Sequence, residues 1–475
     1  MKIGFASAEC APFFKTGGLG DVAGSLPKYI QKAGHQVVVF LPYMASIPEQ
    51  YKQQVQDVTS FTVSVGWRKQ YCGIKTLEFE GVRYYFIDNE YYFNRPNVYG
   101  YFDDGERFAF FQQAIIESLE KINFIPDLMH VNDYHTAFIP YLLKTKYQWI
   151  QAYQSIKTLL TIHNIEFQGN YDQETLGELF SMGLEDFDNG KIEQNGQVNW
   201  LKSAIVFADW VNTVSPSYAN EIQTEAFGKG LDGILRQESS KVSGILNGID
   251  YDSLNPATDS HLYAAFDASD ISGKVENKTQ LQKQLGLPIS ADIPLIGIVS
   301  RLTYQKGFHL VLERLAEILQ NQVQIIVLGT GDPDFEQGFR YFEAEFPDKI
   351  RSCIMFDIDL AQKIYAGADI FLMPSAFEPC GLSQMMATRY GTLPVVHEIG
   401  GLKDTIFPFN PVTHEGDGFG FSAFDSYHMN ESLNLALHIF KAVPEVWQTL
   451  VTRAMTKDFS WETASKHYVD LYEKL

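Results

Sequence analysis

The sequence is short of cysteine, of basic residues and of long apolar runs, and each shortage closes off a class of protein. Only four of its 475 residues are cysteines, Cys10, Cys72, Cys353 and Cys380. They are scattered without CxxC spacing, which argues against a disulfide framework or a zinc site and fits a reducing compartment. Basic residues number 37 against 58 acidic ones, for a net charge of −21. Nucleic acids and anionic membranes are held by clusters of lysine and arginine, so neither is an expected partner. No stretch approaches a membrane span, and MKIGFASAE runs into a strand-like pattern without signal-peptide features, so a cytoplasmic location is expected. No DxD-type carboxylate pair or histidine cluster stands out, so no metal ligands are expected. Tandem repeats and low-complexity tracts are missing as well.

What is present is a large apolar interior, with 45% hydrophobic and 14% aromatic residues. A chain of this length divides into two or three domains. Residues 2–8 read as a buried strand ending at Glu9. The turn Thr16-Gly17-Gly18-Leu19-Gly20 then leads into a helix that ends near Gly34, followed by a strand over 37–41. This is a β–loop–α–β unit whose glycines allow close backbone approach to a ligand, yet it matches neither a Walker A sequence nor GxGxxG. Lys15 adds a cation and Asp21 sits at the helix start; a tight turn with a solvated lysine and a capping aspartate is the competing reading. Residues 58–93 read as short strands in hairpins or a meander. An aromatic loop and an amphipathic helix over 106–122 follow, and the loop aromatics either stack on sugar faces or plug the core. Strands over 126–133 and 157–162 deliver Asp133, Tyr134, His135, His163 and Asn164 at their carboxyl ends, where ligand crevices form. For His163 a satisfied core histidine is the alternative.

Asn247-Gly248-Ile249-Asp250 is turn chemistry before a polar, aperiodic stretch, and it reads as the domain boundary. A helix around 274–286 precedes a second βα rhythm, with strands over 294–300, 323–328, 354–356 and 370–373. Arg301 and Lys306 follow the first of these, and Gly329 follows the second. The last leads into FEPCGLSQMMATRYGTLPVVHEIGGLKDTI at 377–406. There a helix is predicted to open at Glu378-Pro379-Cys380-Gly381-Leu382, with unpaired amides that favour anionic or hydroxyl-rich ligands. Glu378 could accept bonds from hydroxyls of the same ligand, or serve as an ordinary capping acid. A capped amphipathic helix starting near Ser460 closes the chain. Two α/β halves facing one another would enclose a cleft in which Lys15, Arg301 and Lys306 could neutralise a diphosphate.

Taken together, KTGGLGDV at 15–22, HVNDYH at 130–135, TIHN at 161–164, NGID at 247–250, SRLTYQKG at 300–307 and FEPCGLSQ at 377–384 resemble the bacterial glycogen/starch synthases. These retaining glucosyltransferases are built from two Rossmann-like domains. The resemblance implies an α/β, GT-B-type fold with the two domains facing across a deep cleft and a C-terminal helix crossing back to the first domain. It implies an acceptor-side domain at 1–246, a donor-side domain at 247–457 and the crossing helix at 458–475. The implied reaction moves glucose from a nucleotide sugar, usually ADP-glucose, to the nonreducing 4-hydroxyl of an α-1,4-glucan, with no cofactor and no essential metal.

By the same resemblance Lys15, Arg301 and Lys306 would hold the diphosphate, with the amide of Gly18 assisting. Glu378 and the amides of Cys380, Gly381 and Leu382 would grip the glucose. His163 and Asn164 would line the glucose pocket, with the His163 main chain facing the developing oxocarbenium. Asp21 would sit nearer the acceptor, as would Asp133, Tyr99 and Tyr134. Asn247, Gly329, Phe356, Ser383, Gly400 and Gly401 would complete the donor side, the last two as a loop beside the nucleotide. Three departures stand out. Ser383 replaces a common threonine, His397-Glu398 replaces a basic pattern, and Phe356 replaces a tyrosine, leaving UDP-glucose open as the donor. Other expected readings are a sucrose-synthase-like or trehalose-phosphate-synthase-like transferase, a glucan-binding pseudo-enzyme, and a phosphorylase carrying pyridoxal phosphate.

Overall fold

Apolar runs closing each βα repeat become strands with both faces covered, the condition under which parallel strands lose their in–out alternation. In the computed structural model, which describes residues 1–475, Leu128–Asn132 is buried at every position and Gln36–Pro42 at all but the first. By internal contacts the chain divides into two units. One is Met1–Gly248 with Trp461–Leu475, and the other is Ile249–Ser460.

The first unit is built on a nine-stranded sheet. Its strands are β1 (Lys2–Ala6), β2 (Gln36–Pro42), β3 (Gln56–Val65), β4 (Arg68–Phe79), β5 (Val82–Asp88), β6 (Leu128–Asn132), β7 (Lys157–Ile162), β8 (Trp210–Thr213) and β9 (Val242–Gly244). They lie in the order β9-β8-β7-β6-β1-β2-β5-β4-β3. All neighbours are parallel except the β3–β4 and β4–β5 pairs, the meander expected over 58–93. Strand order reverses beside β1, since the chain first adds β2 on one side and later β6 on the other. The amphipathic helices Gly18–Lys32 and Asp104–Lys121 pack on this sheet. The last helix, Trp461–Lys474, belongs to the same unit, with Trp461, Tyr468 and Tyr472 buried. His130 joins it to β6 and β7: Nδ1 meets the Tyr472 hydroxyl at 2.8 Å and Nε2 the Thr161 hydroxyl at 2.7 Å.

The second unit holds β10 (Leu295–Val299), β11 (Gln324–Leu328), β12 (Ile350–Cys353), β13 (Ile370–Met373), β14 (Leu393–His397) and β15 (Phe419–Phe421). These form a wholly parallel six-stranded sheet in the order β12-β11-β10-β13-β14-β15. Its reversal lies between β10 and β13. Leu281, Leu295, Ile326, Leu360 and Ile364 share one apolar cluster on this sheet.

Two predicted elements differ from those observed. The strand placed at 354–356 is a loop, and the strand is Ile350–Cys353. Met355 and Phe356 are exposed, and Asp357 ends the run by capping the next helix, accepting from the Leu360 amide at 3.0 Å. The helix expected to open at Glu378 begins at Ser383, because Gly381 takes a left-handed φ of 73° that no helix continues. No helix is long and apolar enough to cross a membrane.

Tyr472→Phe should leave the buried His130 Nδ1 without its partner. Urea unfolding is expected to show a loss of about 1–3 kcal/mol in the first unit, the usual cost of an orphaned buried polar atom.

Candidate active site

At the switch point of the second unit, the loops leaving β10 and β13 interlock. The Ala376 amide donates to the Gln305 carbonyl at 2.7 Å, and the Gln305 side-chain amide donates to the Phe377 carbonyl at 3.3 Å. This brings Lys306 and Glu378 into an ion pair, with Nζ 3.1 Å from Oε1 and 2.8 Å from Oε2. Ser375 Oγ donates to the same Oε2 at 2.9 Å. Both charged side chains are largely enclosed, at 15% and 9% exposure, so each is the other's main charge compensation. Oε1 takes only the longer bond and keeps capacity for a ligand hydroxyl. Arg301 lines a cavity of about 160 Å³ with Lys306, Ser375 and Ser383. Such a cavity can take an anion beside a hydroxyl-bearing group.

The loop from Glu378 to Leu382 is stitched to the glycine pair downstream. The Gly401 amide donates to the Glu378 carbonyl at 3.0 Å. A Cβ at Gly401 would fall 1.9 Å from the Cys380 carbonyl oxygen, so only glycine fits. Gly400 and Gly401 open the short helix Gly400–Thr405 instead of forming the expected loop, because Ile399 is extended and caps it. Cys380 is buried, while the Gly381 and Leu382 amides have no acceptor within the protein. Gly329 sits at the end of β11, but its amide is spent on the Cys353 carbonyl at 3.1 Å. Phe356 lies in the loop after β12 with 85% of its surface exposed. His397, at the departure from the family's basic pattern, is buried. Its Nδ1 lies 2.6 Å from the Ser375 carbonyl and its Nε2 3.3 Å from the Ser422 carbonyl, so the ring braces the loop that carries Ser375.

In the first unit the reversal beside β1 gathers the loops after β1, β6 and β7. Asp133 is buried with a positive φ of 56°, a strained setting for a residue with a Cβ. Its Oδ1 accepts the His163 amide at 2.7 Å and the Asn164 amide at 3.4 Å. His163 Nε2 meets Asn132 Oδ1 at 2.9 Å, and burial pulls the ring's pKa down to about 3, so the imidazole is neutral. The His163 carbonyl oxygen accepts nothing from the protein. Tyr99 lies on the His135 ring at 4.4 Å and 22°, and Tyr134 is 3.8 Å from that ring. Lys15 and Asp21, expected to serve different ligands, pair with each other at 2.6 Å. With side chains 50% and 35% exposed, that pair is weak enough for a ligand to displace. Asn247, just before the crossing to the second unit, is buried with Oδ1 unpartnered.

Sequence reasoning missed three contributors: Ser375, Asn132 and, above all, Glu9. Ser375 and Asn132 lie next to predicted strand ends, a position that could have flagged them. Glu9 also stands at a predicted strand end, but a lone acid there is not distinguished from a solvated one.

Burial pushes the Asp133 carboxyl from 3.8 up to about 7, against the pull of its two amide donors. The folded chain therefore keeps a proton that the unfolded chain has released between pH 4 and 7, and raising pH through that window costs stability. Thermal melts should show wild type losing stability relative to Asp133→Asn as pH rises across it, with the difference level above pH 8.

A family model for the starch synthase catalytic domain matches residues 2–237, and one for glycosyl transferases group 1 matches residues 293–417. The glycogen synthase of Ligilactobacillus salivarius is 60% identical over 476 residues, covering 100% of both chains. That of Streptococcus pneumoniae is 58% identical over 475 residues, again covering 100% of both. Among solved structures, the catalytic domain of starch synthase IV from Arabidopsis thaliana, bound to ADP and acarbose, superposes with a TM-score of 0.91 at 36% identity. The match covers 100% of this chain and 98% of that one. Sucrose-phosphate synthase from Thermosynechococcus elongatus, at 17% identity and a TM-score of 0.62 with the same 100% and 98% coverage, shares the fold. Full-length identity of this order, on two parallel-sheet units whose switch-point loops carry the matching motifs, makes the chain a member of the glycogen/starch synthase family of GT-B hexosyltransferases.

Proposed function

We propose that the protein transfers glucose from ADP-glucose to the nonreducing 4-hydroxyl of an α-1,4-glucan with retention of configuration. The observation that carries this reading is the second unit's switch point, where Lys306, Ser375 and Arg301 line one cavity and Glu378 is bonded to two of them, Lys306 and Ser375. A cation beside a carboxylate suits a donor that is a charged diphosphate at one end and a neutral sugar at the other. In this reading the second unit is the donor side. Lys306 and Arg301 hold the diphosphate with Lys15 and the Gly18 amide of the first unit. Glu378 and the amides of Cys380, Gly381 and Leu382 hold the glucose, with Ser383, Gly400 and Gly401 beside them. Gly329, Phe356 and Asn247 complete the donor contacts, and the exposed Phe356 ring is the face offered to the base.

The first unit serves the acceptor through Tyr99, Tyr134, Asp133 and Asp21, while His163 and Asn164 line the glucose. As the C1–phosphate bond breaks, the free carbonyl oxygen of His163 faces the positive charge on the sugar. The incoming 4-hydroxyl bonds to C1 from the same face and passes its proton to the departing phosphate oxygen. No pair of glycosidase-type carboxylates is required. The lysines and arginine take up the leaving-group charge, so the reading needs no divalent metal. ADP and acarbose in the Arabidopsis relative favour an adenine nucleotide and a saccharide acceptor. UDP-glucose is the second reading, favoured by the hydroxyl that Phe356 lacks.

Competition between labelled ADP-glucose and UDP-glucose for incorporation into glycogen tests the donor. Preferential incorporation from ADP-glucose is expected, and none from either would overturn the reading. Glu378→Gln should lower kcat by about 10²–10³-fold, the scale for removing one oriented polar group from a transition state. Excess EDTA should leave turnover unchanged.

A further inference from the structure

We infer that Glu9 is a positioning residue that fixes the glycine loop and the aromatic loop of the first unit to a single point. Glu9 lies just beyond β1, at that unit's switch point, with only 2% of its surface exposed. No lysine, arginine or histidine pairs with it. Its charge is met instead by five donors. Oε1 accepts the Gly17 amide at 3.2 Å and the Gly20 amide at 2.9 Å. Oε2 accepts the Thr16 amide at 3.1 Å, the Thr16 hydroxyl at 2.6 Å and the Tyr99 hydroxyl at 3.1 Å. A buried carboxylate without a cation is tolerated only when its lone pairs are filled in this way, so carboxylate and loop hold each other in place.

The bonds sort the loop's amides into two sets. Those of Thr16, Gly17 and Gly20 are spent on Glu9. Those of Gly18 and Leu19, at the start of the helix Gly18–Lys32, have no acceptor within the protein. Space around Gly17 and Gly18 is open, with nothing within 4 Å of a Cβ built on either. The same Oε2 fixes the Tyr99 ring through its hydroxyl, ninety positions along the chain. The proposed function assigns the glycine loop to the donor and Tyr99 to the acceptor, and the inference rests on that assignment for its kinetic consequence. Glu9 then sets both subsites at once without touching either substrate.

Glu9→Gln isolates this role. The glutamine oxygen can keep the Gly17 and Gly20 amides. Its nitrogen cannot accept, so the Thr16 amide, the Thr16 hydroxyl and the Tyr99 hydroxyl lose the oxygen to which they now donate. Amide hydrogen exchange on the full chain should accelerate over 15–20 and over 95–101 and nowhere else. The KM values for ADP-glucose and for a maltooligosaccharide should both rise by about tenfold, the scale of one lost charge-assisted hydrogen bond, with kcat changed less. Tyr99→Phe should alter only the 95–101 exchange and the acceptor KM, and should add nothing in the Glu9→Gln background.

Exchange unchanged in both loops, or changed in one alone, would overturn the inference, as would unchanged KM values beside a lowered melting temperature. If the wild type transfers no glucose while both loops still loosen in Glu9→Gln, the proposed function fails and the anchoring stands. Should Glu9→Gln not fold, Thr16→Val and Tyr99→Phe each remove one hydroxyl donor from Oε2. Their effects on exchange should be coupled, and strict additivity would overturn the inference.

Discussion

Each sheet has one point where strand order reverses between parallel neighbours, and everything that looks like a site depends on that reversal. Where two parallel neighbours send their connections to opposite sides, their carboxyl ends leave a gap that no βα loop crosses. In the second unit this gap lies between β10 and β13, and it brings Lys306 to Glu378 although they stand 72 positions apart. In the first it lies between β1 and β6, and it gathers Glu9, Asp133 and the glycine turn. The chemistry follows from topology before it follows from any one side chain.

At both gaps the charged groups other than Arg301 are engaged before any ligand arrives. Lys306 is held by Glu378, Lys15 by Asp21, and the Glu9 carboxylate by backbone amides and two hydroxyls. These arrangements differ in how readily they give way. The exposed Lys15–Asp21 pair is easily exchanged for a stronger anion, whereas the enclosed Lys306–Glu378 pair keeps its geometry because separating it would strand a charge. In the proposed reaction the first pair opens to the donor, and the second stays a fixed template against which sugar and phosphate are aligned. Such preorganisation is how a site of this kind stabilises developing charge.

Much of the architecture was legible in the residue pattern. The strands at Lys157–Ile162 and Ile370–Met373 were readable because short apolar runs bounded by polar or turn residues have few other uses. The strand misplaced to 354–356 shows the limit. Ile354, Met355 and Phe356 have strand-like side chains but are claimed by a loop, since Asp357 caps the following helix. Gly381 misled in the opposite sense: its neighbours favour a helix start, and only its left-handed φ delays that start to Ser383.

The sequence by itself determined which residue types stand at the strand ends, and with them the family, because motif spacing is a one-dimensional property. Only the tertiary structure decided which of those residues satisfy one another. That Glu378 answers Lys306, that the His397 ring sits between the Ser375 and Ser422 carbonyls, and that Glu9 binds Thr16, Gly17, Gly20 and Tyr99 together are consequences of burial. Buried polar groups must find partners, and those partners are chosen by strand adjacency, not by distance along the chain.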